Sequence, residues 1–179
     1  MKSPLLLLLA LAFTAPVLAA DPRPADKGDA AKGETIASQV CVACHTFDGT
    51  RGLSANPILQ GQHPEYLLKQ LQDFKSGARD SAIMKGFAAT LGEQDMRDVA
   101  AFYACKTAKP GAATDKATLL LGERIYRGGV ADRRIAACAG CHSPNGAGIP
   151  SQYPRLSGQH GEYSEAQLNA FRSGQRANS

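Results

Sequence analysis

The sequence predicts an all-α protein that contains two tandem copies of one small helical domain. Three observations carry this prediction: apolar residues recur at helical spacing, no long stretch alternates apolar and polar residues, and the chain repeats itself at an offset of 97 residues. The predicted domains cover residues 21–106 and 116–179, and a linker at 107–115 joins them.

The repeat runs without a gap from residue 41 to the end of the chain. When the chain is shifted by 97 residues, 18 of the 42 aligned positions are identical, which is far above chance. The identities include a C-x-x-C-H motif, a P-x-L-x-G-Q-H-x-x-Y block and an F-x-S-G-x-R block. Upstream, a G-E-x-I segment also recurs, but the second copy carries an inserted loop around residues 128–134. We therefore interpret the chain as a tandem duplication.

Helices are predicted in both copies from the spacing of apolar residues. Residues 32–40 have mixed helical character and lead into the first C-x-x-C-H motif. Apolar side chains line one helical face over residues 67–74, which Gly77 ends, and again over residues 96–103. The second copy begins its first helix near Lys116. The segments between the helices are rich in glycine, proline and asparagine, which suits loops wrapped around a ligand.

The first 20 residues have the layout of a cleaved secretory signal peptide. Lys2 precedes an apolar run from Leu5 to Leu18, and the small residues Ala19 and Ala20 follow it. The run is too short for a membrane span of about 20 residues, and no later segment is apolar enough to cross. We expect an exported protein, periplasmic in a bacterium, without a transmembrane segment after cleavage.

Charge and residue types argue against two classes of function. Residues 21–110 hold 11 Lys+Arg against 11 Asp+Glu, and residues 111–179 hold 8 against 5. The second half is mildly basic, but it has no basic run beyond Arg133-Arg134, and an exported protein does not meet nucleic acid. No acid–base pair or nucleophile constellation is visible either. We therefore expect neither nucleic-acid binding nor enzymatic activity.

The chemistry lies in the two C-x-x-C-H motifs. They comprise Cys41, Cys44 and His45 in the first copy and Cys138, Cys141 and His142 in the second. A redox dithiol would need a βαβ setting, which is not visible, and a structural zinc site would need four ligands where each copy offers three. A plain disulfide would not require the histidine that follows each pair. The spacing instead predicts one covalent haem c per copy: the two thiols add to the two vinyl groups, and the histidine is the proximal iron ligand.

The sixth iron ligand of the first haem is predicted from the three methionines. Met1 lies in the signal peptide, and Met96 begins an apolar helical stripe, which gives it a core role. Met84 lies in a loop-like stretch 39 residues after His45. We favour Met84 as the ligand, with packing in the core as the alternative.

These motifs and the two shared blocks resemble the di-haem cytochrome c4 family of bacterial electron carriers over the whole mature chain. The resemblance implies two class I cytochrome c folds, with haems close enough for internal electron exchange, and it also implies Met84 as the sixth ligand. It further implies that the carbonyl groups of Pro57 and Pro154 accept hydrogen bonds from the proximal histidines His45 and His142. The expected function is to pass single electrons from a membrane reductase or periplasmic donor to a terminal oxidase or another acceptor.

Two other functions stay open at this point. The chain would also suit the cytochrome subunit of a larger dehydrogenase, such as a sulfide-oxidising flavoprotein complex. A haem enzyme or gas sensor with an open second haem is the other alternative. The expected partners are redox proteins such as a membrane reductase or oxidase complex, which is compatible with peripheral association with a membrane.

Several further residues have candidate roles near these sites. His63 and His160 share the G-Q-H context, and we interpret them as structural residues at a haem edge or an interdomain face, not as ligands. Arg79 and Arg176 either pair with haem propionates or are solvated surface residues. Cys105 belongs to neither motif and is either a buried or semi-buried thiol that packs like a small hydrophobe or the site of an intermolecular disulfide.

The second copy departs from the first near the end of the chain. Shifted by 97 residues, Met84 falls at position 181, beyond Ser179, and the helix at 93–104 has no counterpart. We expect a second domain that is incomplete at its C-terminus, as in a truncated copy of a longer gene product, in preference to a five-coordinate second haem.

Overall fold

A computed structural model describes residues 27–113, 115–150 and 152–178. The predicted signal peptide at residues 1–20 lies outside this range. Within it the secondary structure is helical, and the only extended pairings are two isolated bridges, Val130–Ile135 and Ile149–Tyr153. The prediction of an all-α fold is confirmed. None of the described helices combines the length and the apolar content that crossing a bilayer requires.

Among the described residues, five α-helices belong to the first copy and three to the second. They are α1 (Ala30–Val40), α2 (Val42–His45), α3 (Pro64–Ser76), α4 (Ala82–Ala89), α5 (Glu93–Ala104), α6 (Lys116–Gly128), α7 (Ala139–His142) and α8 (Gly161–Ser173), with a 3-10 helix at Ala131–Arg133. By the sequence repeat, α6 corresponds to α1, α7 to α2 and α8 to α3. The 3-10 helix occupies the loop that the second copy inserts.

Local sequence signals set the ends of these helices. The Asp29 carboxylate caps α1 by accepting hydrogen bonds from the first-turn amides, and Asp115 caps α6 in the same way. Pro64 opens α3, where a missing amide proton costs nothing. Gly77 ends α3 with a φ of 85°, and Gly174 ends α8 with a φ of 77°, a conformation that favours glycine.

The core of the first copy forms where α1 crosses α5. One buried cluster contains Ala37, Leu67, Val99, Ala100, Phe102 and Tyr103, and a neighbouring one contains Phe74, Ala88, Leu91 and Met96. Gly33 lets the two helices approach closely, because a Cβ atom there would lie 2.0 Å from the carbonyl oxygen of Asp98. In the second copy, Gly122 is the matching residue of α6, and a Cβ atom there would meet no described atom within 4 Å.

The stretch around Met84 is a helix, so its prediction as a loop was wrong. The Ser81 hydroxyl caps α4 and accepts a hydrogen bond of 3.3 Å from the Met84 amide. Ala88, four residues after Met84, is fully buried, and Leu91, just beyond the end of the helix, is buried as well. The cap residue begins a short helix, which the prediction overlooked because Gly86 interrupts the pattern.

Candidate haem sites

Each C-x-x-C-H motif folds into a single helical turn. The His45 amide donates to the Cys41 carbonyl group at 3.0 Å, and the His142 amide donates to that of Cys138 at 2.8 Å. Residues at positions i, i+3 and i+4 of a turn lie on one side, so this fold gathers both cysteines and the histidine of each motif. None of the five cysteines forms a disulfide, and burial raises the pKa of Cys41 to about 11.

The histidine ring of each motif is fixed by a hydrogen bond to a proline carbonyl group. His45 Nδ1 lies 2.9 Å from the Pro57 oxygen, and His142 Nδ1 lies 2.9 Å from the Pro154 oxygen. A carbonyl oxygen only accepts, so the proton is on Nδ1 and the lone pair of Nε2 is left to bind a metal. Burial also lowers the pKa of His45, and the bond to Pro57 opposes this shift. A neutral imidazole is the form that ligates iron.

The donor set fits haem c better than it fits a bare metal ion. Among the described residues, no group of three or more His, Cys, Asp or Glu side chains is placed to hold an ion. Each copy instead offers two free thiols beside a histidine with an available Nε2. One residue that the sequence analysis missed is Gln60, whose side-chain amide donates to the Thr46 hydroxyl at 3.1 Å, while its buried Oε1 has no described partner.

The two described methionines differ in burial. Met96 is 2% exposed and belongs to the core cluster with Phe74, as its place in the helical stripe predicts. Met84 is half-buried at the edge of the same cluster. Its thioether is therefore the less enclosed of the two, which is compatible with both of the roles considered for it.

The two G-Q-H segments lie at the interface between the copies. The Gln62 side chain accepts from the Arg155 amide at 2.8 Å and donates to the Arg155 oxygen at 3.0 Å. Gln159 makes the same pair of bonds with Ile58, both at 3.0 Å. Ile58 and Arg155 are themselves equivalent positions of the repeat, so the contact is reciprocal.

The histidines of these segments also contact the other copy. His63 Nε2 donates to the Ala147 oxygen at 2.9 Å, and His160 Nε2 donates to the Arg51 oxygen at 2.7 Å. Both rings are thus held by backbone oxygens across the interface. This placement agrees with the prediction of a structural role at an interdomain face.

Arg79 and Arg176 are buried at the same interface, so their interpretation as solvated surface residues was wrong. They are 9% and 8% exposed, and each guanidinium group stacks on the phenylalanine of its own F-x-S-G-x-R block. Arg79 donates to Gln70, Tyr163 and Gln167 at 2.7–2.9 Å, and Arg176 donates to Gln167, Tyr66, Gln70 and Asn178 at 2.8–3.1 Å. All of these acceptors are neutral.

Cys105 lies just after α5 and is exposed, so the expectation of a buried thiol was wrong. Its thiol donates a hydrogen bond to the backbone oxygen of Phe102 in the preceding turn, with an Sγ–O distance of 3.1 Å. The reason is its position at the C-cap: the apolar face of α5 ends at Tyr103, and Cys105 is turned away from it.

Comparisons with known proteins agree with this geometry. The cytochrome c family model matches residues 30–103 and 122–179. Cytochrome c4 of Azotobacter vinelandii is 44% identical over 161 residues, covering 84% of this chain and 76% of that protein. A thiosulfate dehydrogenase electron acceptor of Stutzerimonas stutzeri is 38% identical and covers 82% and 69%. The crystal structure of reduced recombinant cytochrome c4 from Pseudomonas stutzeri has a TM-score of 0.79 at 41% identity, covering 84% of both chains. The chain belongs to the cytochrome c family, which binds haem c covalently, and within it to the cytochrome c4 proteins.

Proposed function

We propose that this protein is a periplasmic carrier that holds two covalent haems and passes single electrons between a respiratory or periplasmic donor and a terminal oxidase or other acceptor. The observation that carries the proposal is the repetition of one donor set. Each copy places two cysteines that form no disulfide beside a histidine whose Nδ1 lies 2.9 Å from a proline oxygen. Haem iron supplies a centre that changes charge by one electron.

The protein residues would bind and orient the two haems. Cys41 and Cys44 would anchor one porphyrin and His45 its iron, while Cys138, Cys141 and His142 would do the same in the second copy. The proline carbonyl groups hold the imidazole planes and keep Nε2 unprotonated. No side-chain chemistry beyond binding is needed, which agrees with a carrier and not an enzyme.

The number of haems is tested by mass. We expect the mature chain, matured with a c-type haem attachment system, to carry two haem additions that survive denaturation and stain for haem in gels. Replacing Cys41 and Cys44 by serine should remove one addition and leave the other. Cys105→Ser is the matched control and should keep both, because Cys105 belongs to neither motif. A single addition in the unmodified chain would contradict the proposal.

The role of Met84 is tested against Met96. If Met84 ligates the first haem iron, Met84→Ala should abolish the red-region sulfur-to-iron absorption of that oxidised haem and lower its reduction potential. Met96→Ala should keep this absorption and instead destabilise the protein by about 2–5 kcal/mol, because it opens a cavity in the core. Loss of the absorption in Met96→Ala, with its retention in Met84→Ala, would reverse the assignment.

A second candidate donor is suggested by the thiosulfate dehydrogenase electron acceptor among the relatives. In this role the chain would take electrons from a dehydrogenase of an inorganic sulfur compound. It is related to the alternative raised from the sequence, in which the chain is the cytochrome subunit of a larger dehydrogenase. The test is to mix the oxidised haem protein with such a dehydrogenase and thiosulfate and to follow haem reduction. Haem reduction only when the dehydrogenase and thiosulfate are both present would support this candidate. If the haems stay oxidised, a respiratory donor is favoured instead.

A further inference from the structure

We infer that Gln159 and Gln62 are positioning residues that act across the interface, each strengthening the hydrogen bond that orients the proximal histidine of the other copy. The inference rests on the proposed function, because it concerns histidines that bind haem iron. It goes beyond that function by linking the electronic properties of each haem to a side chain of the opposite domain.

The link begins at one peptide group in the first copy. The carbonyl group of Pro57 accepts the hydrogen bond from His45 Nδ1 at 2.9 Å. The N–H of the same peptide group is that of Ile58, and it donates to Gln159 Oε1 at 3.0 Å. The peptide between Pro57 and Ile58 therefore has a histidine on one side and a glutamine of the second copy on the other.

The second copy has the same arrangement with the roles exchanged. The carbonyl group of Pro154 accepts from His142 Nδ1 at 2.9 Å, and the N–H of Arg155 donates to Gln62 Oε1 at 2.8 Å. The Pro154 carbonyl group and the Arg155 N–H belong to the same peptide group. Each copy thus supplies the glutamine that completes the other copy's hydrogen-bond chain.

The glutamine amides are held in one orientation. Gln159 Nε2 donates to the Ile58 oxygen at 3.0 Å, so the opposite assignment of its oxygen and nitrogen would place like groups together. Its Oε1 also accepts from the His160 amide at 2.9 Å. Gln62 is fixed in the same way by the Arg155 oxygen and the His63 amide, both at 3.0 Å. Each glutamine Oε1 is therefore held as the acceptor for the peptide N–H of the other copy.

A peptide group that donates through its N–H becomes a better acceptor at its oxygen, because successive hydrogen bonds polarise one another. The Pro57 oxygen therefore draws the Nδ1 proton of His45 more strongly when Gln159 is present. The imidazole then carries more electron density at Nε2 and is a stronger ligand, which favours the ferric state. Gln159 should accordingly lower the reduction potential of the first haem, and Gln62 that of the second.

The test uses the haem-loaded protein with Gln159→Met or Gln62→Met, which keep the length of the side chain but remove its amide. The reduction potential of each haem is measured, together with the proton resonance of each histidine Nδ1–H in the reduced protein, with carbon monoxide bound wherever the sixth position is open so that both irons are diamagnetic. Gln159→Met should raise the potential of the first haem and move the His45 resonance upfield, with a smaller effect on the second haem. Gln62→Met should show the crossed pattern. Gln72→Met, at an exposed position of α3, is the matched control and should change neither haem.

Three outcomes would decide against the inference. Equal shifts of both haems in both variants would show that the glutamines only hold the domains together, and no shift in either would show that the peptide chain carries no effect. Gln159→Glu keeps the acceptor for Ile58 N–H, so a rise in potential equal to that of Gln159→Met would also overturn it. A protein that carries no haem at His45 and His142 would instead refute the proposed function, which the mass measurement detects separately.

Discussion

Replacing Gly33 by alanine is expected to destabilise the first copy by about 3 kcal/mol, because a methyl group there overpacks the contact between α1 and α5. The new Cβ atom would lie 2.0 Å from the Asp98 oxygen and 2.8 Å from the Phe102 Cβ, and neither the backbone nor a Cβ can move alone. The helices must separate, which weakens the packing of Phe102 and Tyr103. Urea unfolding of the haem-loaded protein measures the loss.

Gly122→Ala is the matched control, since Gly122 occupies the same position of the repeat in α6. No described atom lies within 4 Å of the Cβ position there, so the substitution should stabilise the helix by up to about 1 kcal/mol through propensity alone. Opposite signs at two equivalent glycines are the expected result. Equal changes at both positions would show that the close crossing of α1 and α5 does not limit stability.

Removing both interface arginines should destabilise the protein by more than the sum of the two single changes. Arg79 and Arg176 share the acceptors Gln70 Oε1 and Gln167 Oε1, so either guanidinium still satisfies both oxygens when the other is gone. Removing one also relieves repulsion between two buried cations that have no ion pair among the described residues. Both effects make the second removal costlier than the first.

The measurement is a double-mutant cycle with Arg79→Met, Arg176→Met and the double variant, in which methionine keeps the apolar contact with the phenylalanine rings. We expect each single change to cost about 1 kcal/mol and the coupling to add about 1–3 kcal/mol. Arg172→Met, at an exposed position near the end of α8, is the control and should stay within about 0.5 kcal/mol. Additive costs would show that the two guanidinium groups act independently.

The motifs and helices that follow from short-range sequence signals could be predicted. The C-x-x-C-H spacing places the cysteines and the histidine on one turn, and the apolar spacing over residues 67–74 places α3, because both depend on neighbours within a few residues. The helix α4 was missed for the opposite reason. It is short, Gly86 lowers its propensity, and its stability comes from the Ser81 cap and from burying Ala88 against other helices.

The interface could not be predicted as an arrangement, although the sequence held a signal for it. Between the copies, polar residues such as Gln70 and Gln167 are identical, whereas their apolar neighbours Leu67 and Leu68 are replaced by serine and glutamate. Polar identity at positions whose adjacent apolar residues differ indicates a contact that both copies share. Arg51 had no such signal: it donates to the Gly158 oxygen at 2.8 Å, but a glycine stands at its place in the second copy.

The reciprocal contacts of the glutamines and arginines bear on how a chain of this kind arises. An interface is isologous when the same surface of both copies forms it, so that a residue of one copy contacts the equivalent partner in the other. Symmetric homodimers use interfaces of this form. A single domain with glutamine, histidine and arginine at these positions carries both halves of the interface, so two separate copies of it could already pair. Joining their genes then adds no new surface. It raises the effective concentration of each domain for the other. It also lets each domain acquire its own substitutions, such as the glycine at the position of the second copy that is equivalent to Arg51.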